Sequence, residues 1–173
     1  MIDVDKRFID INENTRPGDK IRQTHKIIFH DAPLKYNSGI KNRNYINSLK
    51  NQDNIFMSYH YIIGSKGEII QLIPEDEIAI HTGFIEFDLH SISIALCYDK
   101  NKKKILTTNT LNSLKYLSKY LLKKYKLDSK YDLIKCYDVI NKRSPIYFVE
   151  NPYIFYDFKI SLNQLCKFYW LCS

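Results

Sequence analysis

No stretch of this 173-residue chain approaches the roughly 18 consecutive apolar residues that a membrane-spanning helix needs, so no membrane span is expected. Residues 1–10 carry mixed charge and lack the apolar centre of a secretory leader. Cytoplasmic synthesis is the expectation, and any action outside the cell would need lysis or a non-standard route. The four cysteines, Cys97, Cys136, Cys166 and Cys172, show no CxxC spacing. A chain of this size does not need a disulfide framework, so they read as reduced thiols, with Cys97 as a small core residue. Arginine is scarce and no nucleic-acid reader motif occurs, which argues against a nucleic-acid partner. Internal repeats and linker-like segments are also missing, which leaves a single domain over residues 1–173.

What is present is apolar, aromatic and basic. Hydrophobic residues make up 45% of the chain and aromatics 14%, including 14 tyrosines, so a packed core is affordable and disorder is excluded. The net charge is +7 and the pI near 9.1, which favours anionic partners, although a lysine-rich composition alone also accounts for it. The run Lys100 to Lys104 reads as an exposed turn.

Periodicity sketches an α/β layer fold with a central mixed sheet flanked by helices. Ile2 to Asp19 reads as a polar lead-in ending in the turn Arg16-Pro17-Gly18. HKIIFH, residues 25–30, is a short buried strand closed by Asp31-Ala32-Pro33. NRNYINSLK, residues 42–50, puts Tyr45, Ile46 and Leu49 at helical spacing. Residues 58–64 and 68–73 form a hairpin around Ser65-Lys66-Gly67. SISIALCY, residues 91–98, alternates with period two: Ile92, Ile94 and Leu96 share one face, and Ser91, Ser93, Ala95 and Cys97 the other. That second face, small and partly polar, is a floor for something above it. Residues 111–127 are an amphipathic helix with Leu114, Leu117, Leu121 and Tyr125 as its apolar stripe, capped by Asn109 or Thr110. Residues 131–135 read as the last strand and 152–170 as a C-terminal helix.

Several of these segments, in order, resemble one family. SYHYIIGSKGEIIQLIPEDEIAIHTG at 58–83, IIFHDA at 27–32, NRNYINSLK at 42–50, SISIAL at 91–96 and CYDVINKRSPIYFVEN at 136–151 are similar to the type-2 N-acetylmuramoyl-L-alanine amidases. That class takes in clostridial and phage endolysins and is related to peptidoglycan-recognition proteins and T7-type lysozyme. The resemblance covers about residues 16–160 and leaves 161–173 as a C-terminal extension. It implies an amidase-like fold and peptidoglycan, or a muropeptide stem peptide, as the partner. Family members hold zinc through three protein ligands, and its water attacks the amide between the muramic lactyl group and L-alanine. A glutamate, or a tyrosine with a lysine, handles protons and the developing oxyanion.

Carried over by position, the family's metal ligands fall on His30, Cys136 and Ser144, and its glutamate on Ala95. A serine hydroxyl is a poor zinc donor, and a methyl group cannot move a proton. The resemblance therefore implies a degenerate member without ordered zinc, with a groove where His30, Ala95, Cys136 and Ser144 converge. Tyr59 and Lys142 match the tyrosine and lysine of the T7-type members, and His81 matches the histidine beside the metal. Core packing accounts equally well for Tyr59 and His60, as a solvated loop position does for Lys142. A different three-ligand set of His30, Cys136 and His81, with Asp138 or Cys97 near it, stays open. So do an active zinc amidase with a rebuilt site and a protein-binding regulatory or assembly module. The last would use the apolar tail, where Leu165, Phe168, Tyr169, Trp170 and Leu171 could pack back or meet a partner.

Overall fold

The continuous apolar run Ile27-Ile28-Phe29 within KIIFHD is buried on both sides, as a strand at the middle of a two-faced sheet must be. In the computed structural model, which describes residues 3–102 and 104–163, this strand β2 (Lys26–Asp31) sits between β5 (Ser91–Leu96) and β6 (Leu133–Lys135). The remaining strands are β1 (Val4–Lys6), β3 (Tyr61–Ile63) and β4 (Ile69–Gln71), and the order across the sheet is β1-β4-β3-β5-β2-β6. All neighbours run parallel except the β3–β4 hairpin, so the sheet is mixed. Gly67 closes that hairpin at φ 86°, a backbone conformation natural only to glycine.

The two faces of β5 do what the alternation requires. Ile92, Ile94 and Leu96 join Ile27, Phe29, Tyr61 and Ile63 in the larger core cluster. Helix α3 (Thr108–Tyr125) covers that face through Leu114, Leu117 and Leu121. Each such leucine contributes about 1.5–3 kcal/mol when fully buried. Helices α6 (Ile146–Glu150) and α7 (Pro152–Asn163) add Phe148 and Phe155. Ala95 and Cys97 point the other way, into a second cluster with Ile62, Ile70 and Ile46 of α1 (Gly39–Ser48). Short helices α2 (Ile85–Asp88), α4 (Ser129–Asp132) and α5 (Cys136–Ile140) complete the described chain.

Several boundaries differ from expectation. The lead-in contains strand β1, which pairs in parallel with β4; only its Val4 packs on the core, and Asp5 and Lys6 are exposed. Helix α1 begins at Gly39, where the Ser38 hydroxyl accepts from Lys41 N–H, and a 3₁₀ turn at Leu49–Asn51 continues it. Helix α3 is capped by Thr107, whose hydroxyl accepts from Thr110 N–H at 3.0 Å, not by Asn109 or Thr110. The strand expected at 131–135 starts at Leu133, because Asp128 caps α4 just before it. Cys136 opens helix α5 and is not a loop residue. Helix α7 is described as far as Asn163, and the apolar tail from 164 onward lies outside the described residues.

Candidate functional site

The small face of β5 is a floor carrying two histidines. Ser91, Ser93 and Ala95 project from it, and His30 on β2 is the direct neighbour of Ala95 in register. Above Ser91 lies His81, delivered by the loop after β4, with its Nε2 at 3.0 Å from Ser91 Oγ. Above Ser93 lies His60, with Nδ1 at 3.0 Å from Ser93 Oγ. His30 and His81 meet at 3.0 Å between Nε2 and Nδ1, with their rings at 86°.

The hydrogen bonds fix the tautomers. Ser91 Oγ donates its one proton to the Phe87 carbonyl at 2.6 Å, so it accepts from His81 Nε2–H. His81 Nδ1 is then bare and accepts, and His30 Nε2–H donates to it. Burial keeps these rings neutral. It pulls His30 down to about 3, helped by the Lys142 charge, and it holds His81 well below 6.5, helped by His30 and His60. Asp88 steadies the His81 loop by accepting from the Thr82 hydroxyl at 2.8 Å and from the Thr82 amide at 3.0 Å.

The Tyr59 ring packs 5.1 Å from that of His30, and burial raises its hydroxyl above the usual tyrosine value. Ser144 sits beside the same strand end. Its hydroxyl accepts from Asp31 N–H at 2.7 Å, and its carbonyl accepts from Tyr137 N–H at 2.9 Å. Cys136 is buried, and burial pushes its thiol up to about 11 against the opposing pull of Lys142. Lys142 itself is exposed on the turn between them.

Sequence reasoning overlooked Asp31, which fastens this region together. Its carboxylate accepts from Ile146 N–H at 3.0 Å and from the Tyr98 hydroxyl, and pairs with Lys35 at 3.0 Å. The Ser91 and Ser93 pairings were missed as well. Their only signal was the polar face of β5.

Zinc tests the donor set. A zinc-bound imidazole offers a bare nitrogen, and a zinc-bound cysteine is a thiolate. Here the third position, Ser144, is a neutral hydroxyl already accepting from an amide, and His30 Nε2 is turned toward His81 at 3.0 Å. The alternative set does not gain its fourth member. Asp138 caps α5 by accepting from Lys135 N–H at 2.9 Å, and Cys97 Sγ accepts from Asn42 Nδ2 of α1 at 3.4 Å. Among the described residues no three His, Cys, Asp or Glu side chains converge as a metal requires. The residues present do not fit the ion.

Comparison with known proteins agrees with the fold. A family model described as N-acetylmuramoyl-L-alanine amidase matches residues 20–146. The chain is 27% identical over 179 residues to N-acetylmuramoyl-L-alanine amidase CwlL of Bacillus licheniformis, covering 95% of this chain and 48% of that protein. It is 25% identical over 170 residues to N-acetylmuramoyl-L-alanine amidase BlyA of Bacillus subtilis strain 168, covering 88% and 44%. The chain thus spans about half the length of the curated relatives it matches. Among solved structures, a mutant endolysin from Bacillus subtilis superposes with a TM-score of 0.77 at 20% identity, covering 94% of this chain and 100% of that one. Drosophila peptidoglycan recognition protein SD superposes at 0.63 with 15% identity, covering 84% and 89%. At these identities the structural likeness speaks to fold alone.

Proposed function

Because the chain belongs to the N-acetylmuramoyl-L-alanine amidase family, we propose that it binds peptidoglycan, through the muropeptide stem, and does not cleave it. One observation carries this reading. The side chains at the family's chemical positions are engaged with one another and with backbone: His30 with His81, and Ser144 with the Asp31 amide. Ala95, in register with His30, offers only a methyl group where a proton carrier would stand. Loss of a general acid or base alone costs about 10²–10⁴-fold in rate. A recognition surface needs none of these groups ionised, and the exposed Lys142 beside the buried site remains available to a stem carboxylate.

A second reading, an active amidase with a rebuilt site, is favoured by the names of the relatives and by Tyr59 and Lys142 near His30. Two assays on one preparation separate the readings. Sedimentation with insoluble peptidoglycan is expected to retain the protein, and incubation with muropeptides is expected to release no L-alanine-bearing peptide. Chelator-sensitive release would establish the second reading, and failure to sediment with any wall preparation would sink the first.

A further inference from the structure

Helix α3 turns an arc toward solvent that carries charge of one sign. No Asp or Glu occurs between Thr108 and Tyr125. Lys115, Lys119 and Lys123 follow one another at i,i+4 spacing, rising about 6 Å per step. Lys126, at the C-cap, comes back to within about 20° of Lys115 on the same arc. Tyr116 and Tyr120 stand beside this row, 40% and 46% exposed. The core is served by the other side of the helix, through Leu114, Leu117, Leu121 and Leu122; Tyr116, Tyr120, Lys123 and Lys126 are exposed, and Lys115 is half-buried at the border.

At its C-terminal end the arc runs into a cavity of about 500 Å³ between α3 and the β1–β4 edge of the sheet. Lys6, Tyr120, Lys124 and Tyr125 line it, with Glu75 and Asp76 among them, and Asp76 pairs with Lys20 at 2.7 Å. The Glu75 charge is already balanced. Its carboxylate accepts from the Tyr61 hydroxyl at 2.6 Å and the Tyr125 hydroxyl at 2.7 Å, and pairs with Lys124 at 3.2 Å. The mouth of the cavity thus offers the half-exposed Tyr120 at the end of a cationic row. All of this lies on the α3 face of the sheet, opposite the face that carries Ala95 and Cys97.

We infer that this face of α3, with the cavity at its end, docks a flexible polyol-phosphate polymer of the bacterial wall. Lysine ammonium groups are mobile point charges that pair with phosphodiesters without selecting a base. Exposed tyrosine rings suit the hydroxyl-rich units between phosphates. The chain's +7 charge draws such a polymer in. The choice of a wall polymer over a nucleic acid rests on the family reading given above and on the scarcity of arginine.

Binding of purified poly(glycerol phosphate) to the full chain, measured across a series of salt concentrations, tests this. Affinity should fall steadily as salt rises. The triple variant Lys115→Gln, Lys123→Gln, Lys126→Gln should reduce the log–log salt slope by about 2, at about 0.7 per lost phosphate contact. A control triple of exposed lysines outside the helix, Lys41→Gln, Lys66→Gln, Lys100→Gln, should leave the slope in place. Tyr116→Ser with Tyr120→Ser should weaken binding at every salt concentration without changing the slope. No binding at low salt, or equal losses from both lysine triples, would overturn the inference. So would single-stranded DNA of equal phosphate number binding as tightly. Intact wall compared with wall stripped of its phosphate polymer separates the two readings: the surface around Lys142 should hold stripped wall, whereas the α3 face should add retention only on intact wall.

Discussion

Ser144 is joined to Asp31 by a single short hydrogen bond, and Asp31 in turn holds Ile146 N–H, so two contacts stitch the 136–146 segment to the end of β2. Removing the hydroxyl leaves the Asp31 amide without its partner in a largely closed environment. Ser144→Ala should cost about 1–3 kcal/mol, read from the midpoint and slope of a urea transition. The same residue bears on the metal question. Ser144→Cys alone supplies one thiol, while His30 remains hydrogen-bonded to His81 and Cys136 remains a thiol. That variant should purify without zinc. The triple variant Ala95→Glu, Cys136→His, Ser144→Cys should gain it, measured as metal content of protein purified without chelator. Ala95 is wholly buried, so its replacement by Glu also adds about 1–3 kcal/mol of overpacking. Cys136→His with Ser144→Cys is the milder companion that keeps the metal test readable. An unchanged metal content in both would show that the scaffold no longer brings these positions together.

At the scale of elements, helix α3 ends on Lys126 at φ 55°, a left-handed cap that costs a side-chain-bearing residue free energy that glycine does not pay. Lys126→Gly should raise stability by about 0.5–1 kcal/mol, since the cap sits past the helix interior and loses only an exposed lysine. Thermal unfolding of the two proteins side by side measures it. The elements also differ in how much of themselves the sequence discloses. Strand β5 was legible because large apolar residues recur at every second position with small ones between them, and even its polar face announced a floor. Helix α3 was legible from its leucine stripe, but its start was misjudged by a few residues, because the cap lies at Thr107, outside the periodic run. Strand β1 was illegible, since only one of its three residues, Val4, reaches the core and a single apolar position leaves no pattern. The pairing of His30 with His81 spans 51 positions, and that of His60 with Ser93 spans 33. Neither leaves a local signal, so the motifs located the residues while only the fold revealed how they are engaged.

For the whole molecule, the buried histidines make stability depend on pH in a definite direction. His60 is fully satisfied as a neutral ring: Nε2–H donates to the Glu77 carbonyl at 2.9 Å, and Nδ1 accepts from the Ser93 amide at 3.1 Å. A second proton on Nδ1 would face that amide donor head on, at a fully buried position. Burial accordingly lowers His60 from 6.5 to about 4, and His30 to about 3. The folded value is the lower one, so between 6.5 and 4 the unfolded chain takes up the proton that the folded chain refuses. The stabilisation is complete above pH 6.5 and drains away as pH falls toward 4. For His60 alone the loss is roughly 3 kcal/mol across that window, at about 1.4 kcal/mol per unit, and His30 adds to it. Urea transitions at successive pH values should show the midpoint falling steeply below 6.5 and little above it. His60→Gln keeps a donor for the Glu77 carbonyl but has no proton to gain. It should be less stable than the parent at pH 7 and lose less on acidification, so the two stability curves converge as pH falls. Parallel curves would show that His60 is not one of the groups that take up protons on unfolding.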